Sequence, residues 1–98
     1  MSNINAKDVI NSSKGKTEKQ GEQLAKAVLL EMEKNEKVVI DMSKLILIRI
    51  KFFKTFVTKL KERYPDIDII LDKLVIEYSI DNDKDIMQMV IENVYGGN

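Results

Sequence analysis

Val38-Val39-Ile40-Asp41-Met42 is a run of β-branched residues closed by an acid and a methionine. Val and Ile are stiff about χ1 and suit a pleated surface. Asn35-Glu36-Lys37 precedes the run, and Ser43-Lys44 offers a turn after it. On both sides the apolar positions recur with a helical period, so the run reads as a central strand between two helices. Its apolar residues do not simply alternate. That predicts a strand over Lys37–Met42 covered on both faces or nearly so.

Toward the N-terminus, Gly21, Leu24, Ala25, Val28, Leu29 and Met32 lie on one stripe and predict a helix over Glu18–Lys34. Thr17 stands at its cap, with Gln20 in the capping-box position. Gly21 gives up about 1 kcal/mol of helix propensity against Ala, a loss that close packing on the sheet would explain. Lys34-Asn35 ends the helix, since Asn tolerates the left-handed conformation common there. Gly15-Lys16-Thr17 looks like the end of a phosphate loop. That motif needs a glycine five residues before Gly15, and Ile10 occupies the place. Asn11–Lys19 therefore reads as a loop. Residues 1–10 carry Ile4, Val9 and Ile10 and predict an edge strand or hairpin arm.

Toward the C-terminus, Leu45-Ile46-Leu47-Ile48 is either a buried connection or the start of the next helix. Phe52, Phe53, Phe56, Val57 and Leu60 then form a broad stripe on a helix over Ile50–Tyr64, an aromatic pattern expected of a core. Pro65 stops it. Ile67, Ile69 and Leu71 alternate with other residues, which predicts a strand over Asp66–Leu71. Asp72-Lys73 turns the chain into a strand over Leu74–Ile80, and the two strands are antiparallel neighbours or one bent strand. A last helix follows, capped by Asp81 or Asn82, with Ile86, Met89, Val90 and Val94 on its stripe. Asp81, Asp83 and Asp85 read as helix-start acids, because a calcium loop with its central Gly and terminal Glu is absent. Tyr95-Gly96-Gly97-Asn98 reads as a flexible tail. The expected fold is α/β: one domain over 1–98, with a small mixed or mainly parallel sheet of about four strands packed by three helices.

The 98 residues include no Cys and no His. A thiol nucleophile, a disulfide framework, a Ser-His-Asp triad and the common soft zinc sites are excluded. An enzyme would have to work with Asp, Glu, Lys, Ser or Tyr. Asp41, at a strand's C-terminal end, is the residue to watch, and no second residue is tied to it. No catalytic residue, cofactor or metal is therefore assigned. No apolar run approaches the ~18 residues of a membrane span, so a cytoplasmic chain with no membrane partner is expected. The net charge is 0 but unevenly spread: residues 1–34 sum to +1, 35–64 to +5 and 65–98 to −6. Such polarity can steer a partner or set one copy against another, and a homodimer is a plausible expectation.

Three pieces of the chain resemble the small bacterial STAS-like domains, a family of unknown function related to anti-sigma-factor antagonists. One is the serine-containing loop feeding a helix that begins E-K-Q-G-E-Q-L (Glu18–Leu24). The second is V-V-I-D-M-S-K-L (Val38–Leu45), followed by F-F-x-x-F (Phe52, Phe53, Phe56). The third is a strand running into S-I-D-N-D-K-D-I-M-Q-M-V-I (Ser79–Ile91). The resemblance spans Ser12 to Val94. It implies a regulator that works by binding other proteins, with a phosphorylated serine as the switch in the antagonists proper. The matching segment here, Ile48-Arg49-Ile50-Lys51-Phe52, has no Ser or Thr, and Ser43 lies several residues earlier. Arg49 and Lys51 place fixed positive charge where the family carries its switch.

Together these readings predict a non-enzymatic protein–protein interaction module: a small regulatory adaptor, or an inhibitor of bacterial or phage origin. Its candidate surface is Ser43, Lys44, Arg49, Lys51 and Lys54, around an Ile46–Ile50 run that is sticky if exposed. The alternative is a nucleic-acid-associated protein that uses the basic face over 44–63.

Overall fold

The computed structural model describes residues 2–78 and 81–96, with the backbone alone at 81–83. In chain order the elements are β1 (Ser2–Asn5), α1 (Ala6–Ile10), β2 (Lys14–Gly15), α2 (Glu18–Lys34), β3 (Val38–Asp41), β4 (Leu47–Ile48), α3 (Ile50–Arg63), α4 (Ile67–Lys73), β5 (Leu74–Glu77) and α5 (Asp81–Gly96). The α/β class holds, but the sheet is not a single one of four strands. Among the described residues it divides into a parallel three-stranded sheet of order β1-β3-β5 and a parallel two-stranded sheet of β2 and β4, with five helices.

β3 is the central strand, as its composition predicts, but it is not covered on both faces. The register aligns Ile4, Ile40 and Ile76 in one row and Asn3, Val39 and Val75 in the next. Val38 and Ile40 are fully buried and belong to one core with Leu24, Val28, Phe52 and Phe56 of the helices. On the opposite face Asn3, Val75 and Glu77 are exposed. The long helices stack on one side only, so period-two burial returns in β3 despite its apolar composition.

α2 spans the residues expected of it. The Thr17 hydroxyl accepts from the Gln20 N–H at 3.1 Å, and the Gln20 side chain accepts from the Thr17 N–H at 3.0 Å. Gln20 Oε1 also takes the Lys16 N–H at 2.8 Å. The backbone donors that a phosphate loop would offer are thus occupied within the chain. Gly21 packs against α3 rather than the sheet: a Cβ there would collide with the Phe52 carbonyl oxygen. Gly15 fits under the Phe52 ring, where a Cβ would come within 2.7 Å. Phe52 is thereby clasped by two glycines, one from β2 and one from α2. Asn35 ends α2 in extended geometry, φ −133°, not left-handed. Its N–H and its side-chain amide both donate to the Glu31 carbonyl. The left-handed residue is Asn11, φ 54°, which closes the short helix α1.

Asp66–Leu71 is a helix and not a strand. After Pro65, the Asp66 side chain accepts from the Asp68 N–H at 2.9 Å and caps α4. Ile67, Ile70, Leu71 and Leu74 recur at helical spacing, and Ile70 is the buried one. α4 runs straight into β5, which pairs parallel to β3, so there is no hairpin. The strand expected to reach Ile80 ends at Glu77. Ser79 and Ile80 lie outside the described residues, as do the capping side chains expected of Asp81 and Asn82. Tyr95 and Gly96, expected in a tail, belong to α5, while Gly97 and Asn98 lie outside. The Tyr95 hydroxyl donates to the Tyr64 carbonyl at 2.9 Å, and Lys61 Nζ donates to the Val94 carbonyl at 2.9 Å. These bonds seat the end of α5 on α3, with the Lys61 cation at the negative pole of α5. Burial pushes the Tyr95 hydroxyl up to about 12.

Candidate functional site

The chain between β3 and α3 is held at both ends and presents its middle. Met42 and Leu45 are buried and joined by a turn, with the Leu45 N–H donating to the Met42 carbonyl at 3.1 Å. The Ile46 N–H then donates to the Ser13 carbonyl and the Arg49 N–H to the Gly15 carbonyl, both at 2.8 Å. These bonds extend the β2–β4 pair and fix the segment against the loop before α2. With Leu45 pointing in, Ile46 points out and is 75% exposed. Leu47 and Ile50 are also exposed, the latter at 55%. The run is thus neither a buried connection nor helix. It is a pinned loop with a two-residue strand, in which Leu45 is buried and Ile48 half-buried while Ile46 and Ile50 stand largely in solvent.

Ser43, Lys44, Arg49, Lys51 and Lys54 are all exposed around this apolar centre. From Met42 to Lys61 the chain contains no acid. Among the described residues the ion pairs are Lys59–Glu62 and Arg63–Glu33, and neither reaches these five positions. Arg49 is the N-cap of α3 but makes no side-chain capping bond, and the first turn holds no acid. Cations at the positive pole of a helix oppose its dipole and cost about 0.3–1 kcal/mol each. The local charge pattern therefore works against the helix it starts.

Ser43 has a different part. Its hydroxyl and its N–H both donate to Asp41 Oδ1, the N–H at 2.8 Å. The hydroxyl bond and then the N–H bond hold the Asp41 carboxyl below its ordinary 3.8, opposed by burial and helped least by the nearby Lys44 charge. Asp41 thus caps the turn that launches the exposed loop. Asn5 and Glu77 align with it at the ends of the neighbouring strands. The Asn5 side chain is likewise engaged, accepting from the Lys7 N–H to start α1.

A concavity unsuspected from sequence lies between α3, α4, β5 and α5. It is an apolar cavity of about 250 Å³, walled by residues such as Phe56, Ile70, Ile76 and Ile91, with Lys84, Gln88 and Glu92 also lining it. Reading α4 as a strand hid it, because the wall exists only when Ile67, Ile70 and Leu71 share a helical face. Among the described residues no group of three or more potential metal ligands occurs, and no helix is long and apolar enough to cross a membrane.

No family model, curated protein or solved structure matches this chain. The likeness to STAS-like domains therefore stands on the quoted residues alone.

Proposed function

We infer that the chain is a protein-docking module of STAS-like type, a small non-enzymatic adaptor or inhibitor. It engages its partner through the surface built on Ile46, Leu47 and Ile50 and rimmed by Lys44, Arg49, Lys51 and Lys54. The observation that carries this reading is the apolar loop held outward within an acid-free stretch. Exposed aliphatic side chains stabilise nothing in the free chain, and the rim cations oppose the α3 dipole. Both features become favourable against an apolar surface bordered by carboxylates. With Arg49 and Lys51 permanently charged, docking needs no phosphorylation at the α3 start.

Nucleic acid is the second reading, favoured by the exposed cations alone. Phosphate binding uses charge and leaves the exposed Ile46 and Ile50 without a role.

The double variant Arg49→Glu/Lys51→Glu tests the docking reading. Acids at the first turn complement the dipole, so the variant should melt at or above the wild-type temperature, by about 0.5–1 kcal/mol. Used as tagged bait in a lysate of the cell that makes the chain, wild type should retain a stoichiometric protein and the variant should lose it. Retention of the same protein by both contradicts the reading. Recovery of nucleic acid that leaves with salt supports the second one.

A further inference from the structure

Eight large hydrophobic residues are exposed among the described residues, and six of them fall in two groups. Ile46, Leu47 and Ile50 form the first, in the stretch without acids. Ile69, Leu71 and Val75 form the second, on α4 and the start of β5. The second group sits among opposite charges: Asp66, Asp68, Asp72 and Glu77 are exposed in the same twelve residues, against one cation, Lys73. On α4 the exposed arc interleaves Leu71, Asp68, Asp72 and Ile69 in angular order. One surface thus has an apolar centre with a basic rim, and the other has acids at its centre with exposed apolar side chains beside them. Ile46 projects from the first. Leu71, 62% exposed, stands beside the apolar cavity on the second.

We propose that a second copy of this chain docks head to tail, the Ile46–Ile50 surface of one molecule resting on the α4–β5 surface of the next. This deepens the docking reading and rests on it, naming the chain itself as a partner. The two surfaces differ, so the contact is heterologous: each copy keeps one free face of either kind, and assembly continues into a ring or an open chain. Charge complementarity fixes which face meets which. A symmetric pair that met through one surface alone would set Arg49 and Lys51 against their own copies, or Asp68 and Asp72 against theirs.

Sedimentation velocity over about 10 µM to 1 mM, the range of weak reversible interfaces, supplies the test. Wild type should exceed the 11.3 kDa monomer mass by twofold or more at the upper end and return toward it in high salt. Ile46→Ser/Ile50→Ser disables one face and Leu71→Ser/Val75→Ser the other. Each alone should stay monomeric, with far-UV circular dichroism and melting reporting that it is folded. Mixed in equal amounts, they should form pairs that stop at two chains, because each variant retains one working face. Loss of assembly in both variants without recovery on mixing overturns the head-to-tail arrangement. A monomeric wild type at 1 mM overturns self-association altogether. If that monomer still captures another protein through Arg49 and Lys51, the docking reading survives; if it captures none, both fall.

Discussion

Residues 42–61 hold two apolar clusters of similar composition and opposite fate. Phe52, Phe53, Phe56, Val57 and Leu60 are essentially without solvent exposure, while Ile46 and Ile50 stand largely in water and Leu47 is partly open to it. The first cluster is enclosed because α2 comes close enough, at Gly21, to touch the backbone of α3. The second is held out by hydrogen bonds to Ser13 and Gly15 on one side and by the buried Leu45 anchor on the other. The same hydrophobicity thus serves stability where a neighbouring element can reach it and recognition where the backbone is tied away from the core.

The sharpest way to break this contrast is to empty the enclosed side. Phe52→Ala removes the ring that Gly15 accommodates and should lower unfolding stability by about 3–5 kcal/mol, a large part of the ~5–15 kcal/mol of a typical domain. Urea titration reads it as an earlier midpoint with the slope retained. Overfilling the same place comes next. In Gly21→Ala the new Cβ meets the Phe52 carbonyl oxygen, which cannot turn aside as a side chain could, so α2 and α3 must separate. Overpacking of about 1–3 kcal/mol outweighs the ~1 kcal/mol gain in helix propensity, and the variant should be less stable although Ala is the better helix former.

A smaller effect belongs to the far end of α3. Tyr95→Phe forfeits the bond to the Tyr64 carbonyl and should cost about 1 kcal/mol near neutral pH. The Tyr95 hydroxyl is raised from 10 to about 12 in the folded chain, so the protonated form is favoured on folding. That stabilisation is complete below pH 10 and fades as the pH climbs through 12. The gap between wild type and Tyr95→Phe should narrow over this window in chemical denaturation at stepped pH.

The α2 boundaries, the Thr17–Gln20 capping box, the central place of β3 and the phenylalanine stripe were legible because each is written in local chemistry or in a long period. α4 was misread because D-I-D-I-I-L satisfies both periods over six residues. The Asp66 cap after Pro65 and the apolar residue at position 74 were the signals favouring helix. α1 passed unnoticed since five residues give no period, although Asn5 and Asn11 bracket it as caps. Coverage of β3 on one face only was out of reach, because a run of Val and Ile does not say how many layers surround it. The basic residues of the candidate surface and the Ile46–Ile50 run at its centre were visible in the sequence. Whether that run is exposed was not, since the outward direction of Ile46 depends on hydrogen bonds to residues 13 and 15, more than thirty positions away.

The absence of cysteine gives the most direct test of the two fates. Single variants Ile46→Cys and Phe56→Cys place one thiol in each cluster, and labelling by a thiol reagent can be timed in dilute purified protein and again in the assembled or partner-bound state. Ile46→Cys should melt like wild type, react in the dilute protein at nearly the rate of a free peptide and slow at least tenfold on docking, while Phe56→Cys should be protected throughout. An Ile46→Cys thiol already shielded in the dilute monomer, or one whose reactivity is unchanged when a partner binds, would contradict the two fates.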